Sequence, residues 1–510
     1  MRFLARQYHK LFRLRLSETA SILRLTLLVA GILLVVGLRF SESAIGADYY
    51  ISMAGNDAHD GLTLLSAWAT LVPANKVKLL PGDRILLEGS STFVGPLLLD
   101  LEDHGTKESP ILVTSYGQGR ATINAGVGAG IVAKNTAGII ISKVNIFGQG
   151  QDENRSDGIN FYNNLSVAAK LERIEIDEVE VSGFGRNGIS IGGWNGGNGF
   201  KDIWITHAMI HDNGMNGFIT YAQQPYSHEH VYVGYVESFN NSGSLNAFPN
   251  SSSGTGIVLG GVKGGTIEWC VAHHNGWLGD AGIGIWAYDS TRVIIQRNES
   301  FDNHTAGSHD GGGFALDGGV TDSVLQYNYS HDNDGAGYGL FQYQGAPPWS
   351  KNRVQFNLSI DDGRKNGYGG IHVWNGGSGL THAAITENLI VMRTPLNGSP
   401  SALSFDAITE SFSVRSNTLM MFGDANVVTV TPTQRQLSFA GNQCWSQKHW
   451  GFWNHNFNSD QCQTHHLFKA LCVGRADRLR VGTKNYEELF LSGGSGGCVT
   501  CRRTAQGARV

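Results

Sequence analysis

The sequence predicts an all-β chain: a single-stranded, right-handed parallel β-helix with three strands per coil and an N-terminal cap. Three observations predict it. First, a corner triplet recurs as Ser182-Gly183-Phe184, His211-Asp212-Asn213, Phe239-Asn240-Asn241, His273-His274-Asn275, Phe301-Asp302-Asn303, His331-Asp332-Asn333 and Ile360-Asp361-Asp362, in steps of 29, 28, 34, 28, 30 and 29 residues. Second, Asn298, Asn328, Asn357, Asn388 and Asn417 form another series with steps of 29 to 31. Third, each repeat carries a short stretch with strict two-residue alternation, the signature of a strand with one face buried. A repeat of this length has room for three short strands and none for a helix, so each coil stacks on the last and each residue type forms a column.

Composition agrees with a large exported β-protein. Of 510 residues, 41% are hydrophobic, 16% are charged and 68 are glycine, with a net charge of −5. That balance argues against nucleic acid as a partner, and the hydrophobic content argues against disorder. Residues 1–47 stand apart. Arg2, Arg6, Lys10, Arg13 and Arg15 precede an apolar run from Leu25 to Leu38, too short for an ordinary membrane span and suited to a signal peptide, with a retained anchor as the alternative. The expected location is secreted, periplasmic or cell-surface, and the expected state is a monomer. Cys444, Cys462, Cys472, Cys498 and Cys501 cluster after the repeats, where an exported chain can form disulfides.

The expected organisation is a cap and first coils over 48–129, the β-helix over 130–443, and a C-terminal cap or irregular tail over 444–510. The recurrent asparagines read as turn residues, because Asn tolerates left-handed backbone and bonds nearby main chain. The third strand's inward pairs are expected to be Ile189/Ile191, Ile257/Leu259, Ile283/Ile285, Phe314/Leu316, Tyr338/Leu340, Ile371/Val373 and Leu403/Phe405. Between them, Ser190, Val258, Gly284, Ala315, Gly339, His372 and Ser404 face outward, and the small residues at this position in the middle coils predict a shallow groove.

The segment Tyr49-Tyr50-Ile51-Ser52-Met53-Ala54-Gly55-Asn56-Asp57, then Asp60-Gly61 and Pro81-Gly82-Asp83, resembles the start of many exported proteins of the pectate-lyase-like superfamily. The corner-and-strand repeats resemble that superfamily's parallel β-helix repeats. The resemblance covers residues 48–443 and implies the fold. It implies no single activity, since the superfamily holds lyases, hydrolases, epimerases and adhesins. Neither the paired-Asp and His-Gly signature of polygalacturonases nor the Asp-Pro-His-Asp motif of alginate epimerases is present.

The next outward position along the third strand carries the candidate site. Coils stack about 4.8 Å apart, near the rise of a sugar unit. Trp286, Tyr288, Phe341, Tyr343 and Trp374 are expected to form an aromatic track for a polysaccharide, with Asp289, Gln342 and Asn375 beside it. The alternative is that these aromatics stack only on one another to stabilise a sheet face. Asp317, on a strand flanked by glycines, is the leading catalytic candidate, with Asp310 at the strand's other end and His372 two coils later. A glycoside hydrolase needs two carboxyl groups, one protonated, from Asp317 with Asp310 or Asp289. A lyase needs a charge neutraliser and a base; the corner Asp361, Asp362, Arg364 and Lys365 offers a Ca²⁺ site and a cationic base for that case. The expected function is therefore a polysaccharide lyase or glycoside hydrolase. A non-catalytic glycan-binding or adhesin-like protein is the alternative.

Overall fold

The computed structural model describes residues 46–245, 252–377, 379–395, 398, 400–406, 409–423, 425–430, 437–446 and 462–464. Of the leader or anchor expected over 1–47, residues 1–45 lie outside them, as do Cys472, Cys498 and Cys501. The described chain is a parallel β-solenoid of three sheets. Sheet A has 15 strands, from Asp48–Ile51 to Leu437–Ala440; sheet B has 14, from Thr92–Val94 to Cys462–Thr464; sheet C has 12, from Leu97–Leu99 to Val428–Val430. Coiling is already regular at Arg84–Glu88, Thr92–Val94 and Leu97–Leu99, well before the repeat becomes visible in the sequence.

One continuous apolar core fills the coil. In sheet C, Ile189, Phe218, Ile257, Ile285, Phe314, Tyr338, Ile371 and Leu403 make one stacked column. Ile191, Thr220, Leu259, Ala287, Leu316, Leu340, Val373 and Phe405 make the next.

The coil at 281–288 departs from the expected register. Its inward pair is Ile285/Ala287, while Ile283 joins an apolar cluster outside the coil. Gly284 points inward rather than outward: a Cβ there would lie 2.0 Å from Ser300 Oγ and 2.9 Å from Asn303 Nδ2. Gly256 and Gly313 occupy the same corner under the same kind of neighbour. Two successive residues, Gly284 and Ile285, therefore use the interior. That moves Trp286 into the column of Val258, Ala315, Gly339 and His372.

The asparagines do more than turn the chain. The left-handed residue of each corner is the one before: Asp212, Asn240, His274, Asp302, Asp332 and Asp361 all have φ of 53–55°. The asparagine itself points inside. Asn241 Nδ2 donates to Asn275 Oδ1 at 2.9 Å, Asn275 to Asn303 at 3.0 Å, Asn303 to Asn333 at 2.9 Å, and Asn333 to Asp362 at 2.7 Å. A second ladder runs from Asn298 through Asn328, Asn357, Asn388 and Asn417 to Asn442. Each amide oxygen also accepts the backbone N–H of the preceding rung, as Asn328 Oδ1 does from Asn298 at 3.1 Å.

Removing one rung leaves buried donors and acceptors unpaired on both sides, at about 1–3 kcal/mol per orphaned group. Asn303→Ala is expected to lower the chemical-denaturation midpoint by an amount equivalent to about 2–4 kcal/mol. Val167→Ala, at a position 78% exposed and free of left-handed backbone, is the control and should leave it unchanged.

Candidate functional site

The outer face of sheet C holds most of the singled-out residues, in two columns instead of one. Trp286 lies in the first. Extending the paired register by one residue puts Tyr288, Asp317, Phe341 and Trp374 in the second. The glycines of these columns let rings lie flat. A Cβ on Gly260 would meet the Tyr288 ring at 2.3 Å, and one on Gly339 would meet the Phe341 ring at 2.3 Å. Trp286 and Phe341 are consequently buried, packed with Val258, Ile283, Ala315 and Ala336. The expected open track is thus a packed apolar floor, and the rings that face solvent are Tyr343 and Trp374, at 37% and 42% exposure.

Three other candidates have structural partners. Gln342 is fully buried; its Oε1 accepts the Gly319 N–H at 3.2 Å and its Nε2 donates to Pro347 O at 2.9 Å. Buried in this way it braces the turn. Asn375 Oδ1 accepts the N–H groups of Gly377 and Gly379 at 2.9 and 3.2 Å, closing the loop after its strand. His372 does not point into an open groove. It sits beneath Tyr368 and Phe341, with ring centroids 4.7 and 6.0 Å away, and its Nε2 lies 3.3 Å from Asp406 Oδ2. Burial lowers its pKa, opposed by the charge of Asp406.

Three carboxylates remain. Asp317 follows the strand Gly312–Leu316, and its Oδ1 accepts the Gly318 N–H at 2.7 Å. Burial pushes its pKa up to about 6, with the negative charge of Asp289 adding to the rise. Asp289 accepts the Tyr343 hydroxyl at 3.2 Å, and burial raises its pKa as well. Asp310 enters the same strand from its other end in a left-handed conformation, φ 49°. Burial pushes its pKa up to about 7, and the charge of Asp317 reinforces the shift. The flat rings at the floor withhold water from these carboxyls, which is what makes their ionised forms costly.

Tyr368 was not singled out from the sequence, yet its hydroxyl accepts the Asp310 N–H at 3.0 Å from 58 residues away. It comes from the loop after Asp362 that falls outside the repeat, so no periodic signal marks it. Asp280 was missed for the same reason. It accepts His309 N–H at 3.1 Å, His309 Nδ1 at 3.0 Å and Thr305 Oγ1 at 3.2 Å, and so holds the segment that delivers Asp310.

The charged corner expected to suit Ca²⁺ is organised otherwise. Asp361 is gripped by the Arg393 guanidinium and backbone N–H. Asp362 ends an asparagine ladder, and Lys365 Nζ donates to Thr305 O at 2.5 Å. Among the described residues no cluster of three or more His, Cys, Asp or Glu is placed to hold a metal.

With the fold and these carboxylates in view, comparison with known proteins defines the class first. Residues 230–390 match the family model described as a right-handed β-helix region. The match agrees with the three parallel sheets of the coil: the chain has a right-handed parallel β-helix fold. Among individual proteins, it is 23% identical over 428 aligned positions to a lacto-N-biosidase of Bifidobacterium longum subsp. longum, covering 62% of this chain and 26% of that protein. The chain thus spans about a quarter of that relative's length. Among solved structures, a GH136 lacto-N-biosidase of Eubacterium ramulus is 17% identical with a TM-score of 0.49, covering 79% of this chain and 68% of the other. The pectate lyase Pel9A is 15% identical with a TM-score of 0.42, covering 78% and 80%.

Raised carboxyl pKa values carry a stability consequence. Below the unfolded value of 3.8 both states hold the protons and nothing is lost. As pH rises the unfolded chain ionises first, so stability falls until the folded values of about 6 and about 7 are passed. Asp310→Asn is expected to stabilise the protein at pH 8 by about 1–2 kcal/mol, discounted for residual contact with water. At pH 4 the gain should vanish; both are read from denaturation midpoints.

Proposed function

We propose that this chain is an exported glycoside hydrolase acting on a neutral glycan laid over sheet C, with Asp310 as general acid and Asp317 as its ionised partner. The single observation that carries the reading is the placement of two partly buried carboxyls, Asp310 and Asp317, at the two ends of the strand Gly312–Leu316 beside the apolar cluster of Trp286 and Phe341, where burial raises both pKa values and the charge of Asp317 raises that of Asp310 further. Glycosidic cleavage needs one carboxyl protonated and one charged at the same pH. The charge of Asp317 favours the protonated form of Asp310, which keeps its proton for the leaving oxygen. Asp317 then serves as nucleophile or as the base for water.

The surroundings support hydrolysis over elimination. Asp289, Asp310 and Asp317 make the site acidic, and no lysine or arginine stands among the residues described around them. A uronate polymer would bring its carboxylates against like charge, with no cation to neutralise them. The likeness to a lacto-N-biosidase supports a glycosidase reading as well. Tyr343 and Trp374, the exposed rings, suit the apolar faces of sugar units on either side of the bond. Tyr368 acts as a positioning residue through the main chain of Asp310.

Incubation of the purified protein with neutral glycans is expected to release reducing ends without unsaturated products. Uronate polymers yielding absorbing unsaturated products would overturn the hydrolase assignment. Asp317→Asn and Asp310→Asn should each lower kcat by about 10²–10⁴-fold. The pH dependence should be bell-shaped, rising through about 6 as the pair loses its first proton and falling through about 7 as it loses the second.

Tyr368→Phe removes the acceptor for the Asp310 N–H while keeping the ring's edge-type contact with His372. It is expected to cost roughly tenfold in kcat with KM unchanged, and to shift the alkaline limb. A variant with unaltered kcat and limb would show that Tyr368 is only a packing residue.

A further inference from the structure

A cavity separate from the carboxylate site lies at the corner that follows sheet B, and none of its lining residues belongs to sheet C. Its volume is about 610 Å³, within the range of small-ligand sites and enough for one or two sugar rings. Coil stacking brings three corner carboxylates to it, Asp302, Asp332 and Asp361, all on left-handed residues. Opposite them stand Arg364 and Arg393.

The two guanidiniums differ. Arg393 is held by Asp361, whose Oδ2 accepts Arg393 Nε at 2.6 Å and also Nη2, and whose Oδ1 accepts the Arg393 backbone N–H at 2.8 Å. Asp361 is 1% exposed, so this pair is a fixed wall. Arg364 has no carboxylate within ion-pair distance among the described residues; its Nη1 donates to Arg393 O at 3.4 Å. Most of its five donors are left for a ligand. Asp302 and Asp332 are oriented from behind by His274 at 3.2 Å and His331 at 3.0 Å, leaving acceptor capacity on each. The Phe301 ring, sandwiched between His273 and His331 at 4.8 Å each, shows the cavity its edge.

We propose that this cavity is a second, non-catalytic site that binds a neutral saccharide. Asp361 and Arg393 neutralise each other, so a ligand meets Arg364, which opposes a metal cation, together with Asp302 and Asp332, which oppose an anion. What remains is an uncharged ligand rich in vicinal hydroxyls, each able to donate to a carboxylate and accept from a guanidinium. The C–H edge of a pyranose meets the Phe301 edge. On a polymer, such a site adds a second attachment and raises the effective concentration of the chain at sheet C.

The test is independent of whether Asp310 and Asp317 do chemistry. The full-length Asp317→Asn protein is titrated with cellobiose, lactose, maltose, mannobiose and N,N′-diacetylchitobiose, and with digalacturonate, followed by saturation-transfer NMR and calorimetry. At least one neutral disaccharide is expected to bind in the millimolar range, about 1–10 mM. That binding should weaken tenfold or more when Arg364→Ala is added, and persist when Trp374→Ala is added instead. Thr394→Tyr, which fills the cavity, should abolish it. The proposal is overturned if no neutral disaccharide shows Arg364-dependent binding up to roughly 50 mM, or if digalacturonate alone binds there.

Discussion

The two buried asparagine ladders are the constraint on which the rest depends. Each rung accepts from the coil before and donates to the coil after, so neither group is satisfied unless successive coils keep the same register. The 34-residue step from Asn241 to Asn275 shows how strictly this holds. The extra residues fall in the sequence between Asn241 and the strand that starts at Thr255, and Asn241 still reaches Asn275 Oδ1 at 2.9 Å. Insertions are accommodated between ladders and never within them. Because register is kept, residues one repeat apart are neighbours, and any site on this scaffold is assembled from columns.

The carboxylate site follows from what the columns of sheet C leave out. Glycine at 260 and 339 admits flat aromatic rings, and those rings with Val258 and Ala315 make a dry floor. Asp310 and Asp317 stand at the two ends of one strand over that floor. Their pKa values rise because water is withheld, and rise further because Asp310 feels the charge of Asp317 and Asp317 that of Asp289. The same apolar patch that looks like packing is thus the source of the electrostatics. Burying Trp286 and Phe341 removes them as sugar platforms and turns them into the dielectric.

Most of the architecture was legible because it is periodic. Inward pairs such as Phe314/Leu316 and Tyr338/Leu340 obey strict alternation, and both asparagine series mark coil length. The misreading at Ile283/Ile285 came from counting alternation through Gly284, where the corner breaks it: a residue with no Cβ uses an interior already filled by Ser300 and Asn303. The interior role of the asparagines was hidden because a left-handed turn and a buried amide leave the same residue type at nearly the same position. Tyr368 and Asp280 were invisible for a different reason. They sit in loops that belong to no column, and only the folded chain carries them to Asp310.

The place where the repeat fails links these observations. At Asp362 the ladder meets a carboxylate instead of an amide. It accepts Asn333 Nδ2 and the Ser359 hydroxyl, and it has no amide hydrogens to pass to a further rung. Amide donation runs one way along the stack, so the terminal member needs only to accept, and an acid fits where Asn would carry unpaired donors. Burial raises its pKa to about 6, the mark of a carboxyl held in the interior. Freed from the ladder, the following loop spreads to both sides of the corner. Tyr368 reaches Asp310 over sheet C. Arg364 turns into the cavity beside sheet B, and Lys365 ties the loop to Thr305 O, two coils earlier. One acid at the end of a polar ladder thereby releases the segment that serves both candidate sites, which a strictly continued repeat would have kept inside the stack.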